Sequence, residues 1–392
     1  MPDDHPPIGL SCPFFNGNER QYVDDCLDSS WVSTGGGYVT RFEAAVAAAT
    51  GAEAAVACVN GTAALHIALL LAGVKPGDEV FVPTLTFIAP VNAVRYAGAE
   101  PVFLDCDDYL NLDPAALRMF LTTQCERRGT ETFDRVTGKR IRAVIPVHIF
   151  GGLCNLTEIM PLAREFDLQV IEDATEALGA RFTAGPWAGR CAGTVGDSGA
   201  FSFNGNKIIT CGGGGMLVAP RNTAARARYL TTQAKDDELY YVHNHVGYNY
   251  RLPALLAALG LAQLEQLPDR MNAKARLYRR YRDEIAAIPG LRLLDYPPDC
   301  SPNYWFFSLL IDRDAYGCGR DELLQAMAAD RIQTRPLWKL NHTQQPYRDC
   351  RTGPITRAAW FYDRLLNLPC SPNLSDAEFD RVIAMLKQGG QP

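Results

Sequence analysis

The chain has 392 residues, 47% of them apolar, and a formal net charge of −6. That length suits one large domain and a smaller one around a sizeable core. The mild acidity argues against nucleic acid or an anionic membrane as partner, and no apolar run reaches the length of a membrane span.

Met1-Pro2-Asp3-Asp4-His5-Pro6-Pro7 is acidic and proline-rich and lacks the basic start and apolar stretch of a secretory signal, so a cytoplasmic protein is expected. Asn18-Glu19-Arg20-Gln21 has the form of a capping box and predicts a helix to about Ser29. Trp31-Val32-Ser33-Thr34-Gly35-Gly36-Gly37 reads as a flexible loop, either a plain linker or a contact for sugar or phosphate. An alanine-rich helix, Thr40 to Ala49, follows.

Strands and helices then alternate. Strands are predicted at Ala54–Val59, Glu79–Pro83, Glu100–Asp105, Arg142–His148 and Gln169–Asp173. The helices between them are Thr62–Ala72, Ile88–Tyr96, Asp113–Leu121 and Leu156–Phe166, and residues 122–140 form a polar, charged insertion. The strands are nearly continuous apolar runs, which implies burial on both faces of a mostly parallel sheet and an α/β architecture. Ligands of such sheets bind beyond the carboxyl ends of the strands. Further strands are expected at Gly199–Phe203 and Met216–Val218, and a helix at Thr223–Thr232. Residues 236–252 form a long loop rich in aromatics and histidine. Pro253–Gln266 and Arg270–Ile288 read as helices. Pro289-Gly290 marks a break, dividing a large domain, 1–288, from a smaller α+β domain, 289–392. The smaller part should hold strands Tyr304–Ile311 and Ile332–Arg335, the helix Arg320–Ala329, and a last helix Ser375–Lys387 opened by a Ser375/Glu378 capping box.

Four short stretches could carry chemistry. In Asn60-Gly61-Thr62-Ala63-Ala64-Leu65, glycine permits close backbone approach and the helix start favours an anion such as phosphate, although Thr62 could simply cap the helix. It is neither a dinucleotide fingerprint nor a P-loop. Phe87, after Pro83-Thr84-Leu85-Thr86, could stack on a flat ring or be ordinary core. In Ile171-Glu172-Asp173-Ala174-Thr175-Glu176, alternation sends Glu172 and Asp173 to opposite faces. An acid at a buried strand end needs a partner, which could be an arginine, a helix start or a pyridinium nitrogen. In Ser202-Phe203-Asn204-Gly205-Asn206-Lys207, the lysine follows a buried strand and precedes Gly212 to Gly215. A lysine must lose its proton to condense with an aldehyde, and burial favours that. His148 reads first as a hydrogen-bonded core histidine. His243, His245 and His342 lack metal-ligand spacing, and the twelve cysteines contain no C-x-x-C pair, so neither a metal site nor a disulfide framework is expected.

Taken singly each stretch has a bland explanation. In sequence they supply a phosphate cradle, a stacking face, a pyridinium partner and an imine-forming amine, the four needs of pyridoxal 5′-phosphate (PLP). With these motifs the chain resembles the DegT/DnrJ/StrS sugar aminotransferases, from Gly17 to about Lys387, with Asn60 where serine is commoner. The resemblance is strongest to the LegC-type branch, which shares Trp31-Val32-Ser33-Thr34, the insertion at 122–140, the glycine run and a glutamate at the position of Glu176.

This resemblance implies the fold type I aminotransferase architecture, with Lys207 as the catalytic, cofactor-bearing lysine. It also implies cofactor contacts from Gly61, Thr62, Phe87, Asp173, Glu176 and Ser202. Asn249, in Gly247-Tyr248-Asn249-Tyr250-Arg251, would reach the cofactor phosphate of a partner subunit in a homodimer with composite sites. A nucleotide-linked 4-keto-6-deoxy sugar is the implied amino acceptor and L-glutamate the donor, in surface-glycan or antibiotic sugar biosynthesis. Substrate contacts are placed by position alone in the stretches 31–37, 204–215 and 335–347, with Trp31, Ser33, Thr34 and His342 singled out. Another PLP enzyme, such as a lyase or an aminotransferase for a non-sugar ketone, and a non-catalytic regulatory homologue stay open as alternatives.

Overall fold

The computed structural model describes residues 6–389; Met1 to His5 of the N-terminal segment, and 390–392, lie outside the described residues. Helices α1 (Glu19–Asp28) and α2 (Gly37–Thr50) lead into β1 (Ala54–Cys58), α3 (Gly61–Leu71), β2 (Glu79–Pro83), α4 (Ile88–Tyr96), β3 (Glu100–Leu104) and α5 (Pro114–Gln124). Next come β4 (Cys125–Arg128), β5 (Glu131–Asp134), β6 (Arg140–Val144), α6 (Leu156–Glu165), β7 (Gln169–Asp173), β8 (Arg181–Phe182), β9 (Ser198–Ser202) and β10 (Gly215–Ala219). Helices α7 (Arg221–Thr231), α8 (Ala254–Glu265) and α9 (Leu267–Ile285) follow. The C-terminal part holds β11 (Leu291–Leu293), β12 (Cys300–Ser301), β13 (Phe307–Ile311), α10 (Arg313–Tyr316), α11 (Arg320–Ala329), β14 (Arg335–Pro336), α12 (Arg357–Tyr362), β15 (Leu365–Leu368) and α13 (Asp376–Lys387).

The main sheet runs β1-β10-β9-β7-β6-β2-β3. The pairs β2/β3, β2/β6, β6/β7 and β7/β9 are parallel, while β10 is antiparallel to both neighbours. Every residue of β2 and of β10 is buried, as expected for strands covered on both faces. The parallel strands therefore end along one edge, and that edge collects the segments after β1, β2, β7 and β9. A second, four-stranded antiparallel sheet runs β11-β13-β15-β14. The N-terminal arm joins this second sheet's surroundings: Ile8 exchanges hydrogen bonds with the backbone at Arg331 and Gln333, and Cys370 N–H donates to Leu10 O at 2.7 Å.

Local expectations failed at Asn18, at Tyr304 and at Ile332–Arg335, where only Arg335–Pro336 forms a strand, β14. Asn18 precedes α1 but forms no capping box, because its amide donates to Glu265 Oε2 at 2.8 Å on α8. Glu19 instead accepts Gly17 N–H at 2.7 Å and Gln263 Nε2 at 2.6 Å. The charged insertion contains two strands that the sequence reading did not assign: β4 and β5 form an antiparallel hairpin across Gly129-Thr130, with Arg128 opposite Glu131. Gly129 adopts φ +66°, as a two-residue hairpin turn requires. Thr132 and Asp134 alternate inward, and β5 pairs with the start of β6. The strand expected from Tyr304 starts only at Phe307, because Tyr304 has φ +57° and the chain turns so that Trp305 N–H donates to Phe150 O at 3.2 Å. The Ser375/Glu378 capping box of α13 is present, each side chain accepting the other residue's backbone N–H.

Candidate active site

Six of the residues selected from sequence, Gly61, Thr62, Phe87, Glu176, Ser202 and Lys207, line one cavity of about 780 Å³ at the carboxyl edge of the main sheet. Their convergence follows from topology. β1, β7 and β9 run in the same direction, so the residues beyond them emerge side by side.

The start of α3 forms one wall. Asn60 caps the helix, its Oδ1 accepting Ala63 N–H at 2.7 Å. The amides of Gly61 and Thr62, in the first turn, have no intrahelical partner and carry the positive end of the helix dipole. A Cβ at Gly61 would lie 2.9 Å from Thr175 Cγ2 and 3.1 Å from Ser202 Cβ, so glycine alone lets this turn sit against the ends of β7 and β9. The capping role falls to Asn60, which leaves the Thr62 hydroxyl for a ligand.

Asp173, 1% exposed, ends β7 beside Thr175 and Glu176. Burial pushes its carboxyl above the usual value, opposed by the Thr175 N–H that Oδ1 accepts at 3.0 Å. It lacks an arginine or lysine within salt-bridge distance among the described residues. Glu172 turns to the other face, as alternation requires. Its two oxygens accept the amides of Gly193, Val195 and Gly196 and the Nε2–H of His148 at 2.8 Å. His148 Nδ1 accepts Cys154 N–H at 3.0 Å, so this ring is a satisfied core histidine with its proton on Nε2.

Lys207 has a side chain only 12% exposed. Its Nζ lies 3.8 Å from Glu176 Oε1 and 3.8 Å from the centroid of the Trp305 ring. Burial lowers its pKa below that of an ordinary lysine, with Glu176 and then Asp173 pulling the other way. Burial likewise raises the Glu176 carboxyl, against the pull of Lys207. The result is an amine whose charged form is disfavoured by burial, beside a carboxyl that shares its isolation from water.

The other selected residues stand elsewhere. Trp31, Ser33 and Thr34 are exposed, with the Trp31 ring against Gly35 and Gly36. Asn249 is exposed and bridges Thr232. His342 braces the loop after β2, its Nδ1 being 2.7 Å from Thr84 Oγ1. None of these five lines the cavity of its own chain. Sequence reading missed Trp305, which does line it, while Arg335 and Trp338 fall in the stretch 335–347 that was expected to meet substrate from its position. Trp305 and Trp338 are placed by bends rather than by any periodic signal. Arg335, on β14, forms no ion pair among the described residues.

These residues fit PLP: a helix start backed by a glycine that any Cβ would displace, a buried acid without a cationic partner, an exposed Phe87 at the cavity wall, and a largely buried lysine. A sequence model of the DegT/DnrJ/EryC1/StrS aminotransferase family matches residues 14–387. The chain is 38% identical over 389 residues to the GDP-perosamine synthase of Caulobacter vibrioides, covering 98% of this chain and 99% of that relative. Its structure is similar to that of the aminotransferase TlmJ of Streptoalloteichus hindustanus, with a TM-score of 0.87, 27% identity and coverage of 98% and 99% of the two chains. It is also similar to DesV of S. venezuelae, solved in complex with a ketimine intermediate, with a TM-score of 0.83, 30% identity and coverage of 96% and 95%.

Proposed function

The chain belongs to the DegT/DnrJ/EryC1/StrS aminotransferase family, and from that premise we propose that it aminates C4 of a nucleotide-linked 4-keto-6-deoxy sugar, with L-glutamate as donor. The observation that carries this reading is the placement of Lys207 Nζ between Glu176 and the Trp305 ring, in the cavity that also contains the start of α3. The likeness to a GDP-perosamine synthase makes a GDP-linked sugar the first substrate to test.

Bound PLP supplies an aldehyde that condenses with amines and a ring that accepts electrons from the adjoining carbon. The amides of Gly61 and Thr62, with the hydroxyls of Thr62 and Ser202, would hold its phosphate. Asp173 would pair with the ring nitrogen and keep it protonated. Phe87 would cover the ring. Lys207 Nζ would take the proton from the donor's α-carbon and, in the return half, deliver a proton to the sugar carbon that receives nitrogen. Trp305, Phe306 and Trp338 wall the cavity and exclude water. Arg335 lines the same cavity and would meet an anionic group of either substrate. Asn249 would complete the phosphate site of a second subunit, which accounts for its position outside its own cavity.

The test is incubation of the loaded protein with L-glutamate and a panel of GDP-, dTDP- and UDP-linked 4-keto-6-deoxy sugars, read by mass spectrometry. Conversion of a keto sugar to the amino sugar, with 2-oxoglutarate released, is expected, the GDP-linked member reacting fastest. No conversion of any member by cofactor-loaded protein overturns the reading.

A further inference from the structure

The carboxylate beside Lys207 is built as carefully as the lysine itself. Glu176 is 4% exposed, and its two oxygens have separate surroundings. Oε2 accepts the Phe150 N–H at 2.9 Å. Oε1 faces Lys207 Nζ at 3.8 Å. The donor to Oε2 comes from a strained segment: Phe150, a non-glycine residue, has φ +53°. Gly151 follows with φ +90°, and a Cβ there would lie 1.9 Å from Asn303 Oδ1. Asn303 in turn donates Nδ2–H to Glu176 O at 2.9 Å and to Leu178 O at 3.0 Å, and its Oδ1 accepts Trp305 N–H at 3.0 Å. Trp305 completes the circuit through Nε1–H to Asn206 O at 2.7 Å, next to Lys207. One network thus holds the carboxylate, the lysine loop and the aromatic face against the amine.

A glutamate needed only to accept one N–H would not require a second oxygen turned toward a buried amine. The other charged groups around Lys207 are Asp173 at the end of β7, engaged with Thr175, and Arg335 of β14 on the same cavity. Glu176 is therefore the group with a free oxygen facing Nζ.

We propose that Glu176 is the proton partner of Lys207: Oε1 takes the proton that Nζ must give up to act as an amine, and returns it when the lysine is next required as an acid. The N–H bond breaks as the O–H bond forms, with no change of oxidation state. The burial that penalises both charges makes the neutral pair accessible, consistent with the lowered lysine and the raised carboxyl. This assignment rests on the reading of Lys207 as the catalytic lysine.

The test uses full-length protein freed of PLP. Acetic anhydride labelling of the Lys207 peptide is followed against pH by mass spectrometry, with surface lysines as internal reference. Glu176→Gln keeps an acceptor for Phe150 N–H but removes the negative charge, so the labelling midpoint should fall by about one pH unit or more, a tenfold change in reactivity below the midpoint. In the loaded enzyme its kcat should drop at least tenfold with KM for the sugar little changed. Glu176→Asp should return part of the midpoint shift, which a merely structural loss would not do. An unmoved midpoint in Glu176→Gln, or a moved one with normal kcat, overturns the proton-partner role. If Lys207→Ala keeps normal turnover, it is instead the underlying reading of the lysine that fails.

Discussion

Lys207 shows how a side chain's surroundings, more than its identity, set its chemistry. The chain has many lysines and arginines, but this amine sits over an indole ring and beside a buried carboxylate. Lys207→Ala should lose the near-ultraviolet or violet absorbance of lysine-bound cofactor and lower kcat by about a thousandfold or more, checked by a spectrum and a glutamate assay on the same sample. Glu79 gives a second prediction at this scale. It opens β2, is 1% exposed, and its Oε2 has no hydrogen-bond partner among the described residues. Burial raises its carboxyl to about 7. A folded-state pKa above the unfolded value means that the stabilising contribution is complete below about pH 4.3 and is lost as pH rises through about 7. Glu79→Gln should flatten that part of the stability profile, worth at most about 3 kcal/mol. Urea melts of both proteins at pH 5 and pH 8 would show it.

Helix and strand ends explain why the site assembles where it does. The turns after β1, β7 and β9 carry the proposed functional groups, and each is held by a specific bond: Ala63 N–H to Asn60, Thr175 N–H to Asp173 and Lys207 N–H to Asn204 O. A similar tie joins the two sheets' surroundings: Asp105, just past β3, accepts the amides of Thr356, Arg357 and Ala358 at the start of α12, at 2.7–2.8 Å. Burial works to raise this carboxyl, yet the amides of Thr356, Ala358, Arg357 and Cys106 together hold it below its usual value. The stability from this bond set is therefore present above the unfolded carboxylate pKa and lost as pH falls through the folded one. Asp105→Ala should cost about 1–3 kcal/mol at pH 7, measured by urea unfolding, with the difference from the parent shrinking in acid.

At the scale of the whole molecule, the exposed loop before Asn249 bears on the proposed sharing of sites between subunits. Leu239, Tyr240, Tyr241 and Val246 are 72–82% exposed on the loop that leads to Asn249. Its fold is braced from within, with Asp236 accepting from Tyr229 O–H at 3.0 Å and from Asn244 N–H at 2.7 Å. An ordered loop with an apolar tip suits contact with a second copy of the chain. If two subunits share each site, mixing Lys207→Ala with Asn249→Ala protein should restore activity that neither has alone. In the mixed dimer one site carries both lesions and the other carries none. Activity of the mixture equal to the mean of the two parents would rule out sharing.

The order of motifs along the chain, and the apolar strands between them, were enough to establish the α/β sheet, the family and the cofactor. These features are local: strand burial shows in composition, and a turn that binds phosphate must keep its glycine and its helix start together. The hairpin at 125–134 was also legible, in the turn at Gly129-Thr130 and the alternation of Thr132 and Asp134, but its charges concealed it. Trp305 and the second oxygen of Glu176 were not legible, and position pointed to the stretch 335–347 without singling out Arg335 and Trp338 within it. Their roles depend on which bends bring distant segments to the same cavity. The positive φ at Phe150 and Tyr304, and the arm that carries Leu10 to Cys370, arise from long-range bonds that no window of sequence contains. Residues next to one another in the chain thus determined what chemistry was available, and packing between remote segments decided which oxygen and which ring would face the amine.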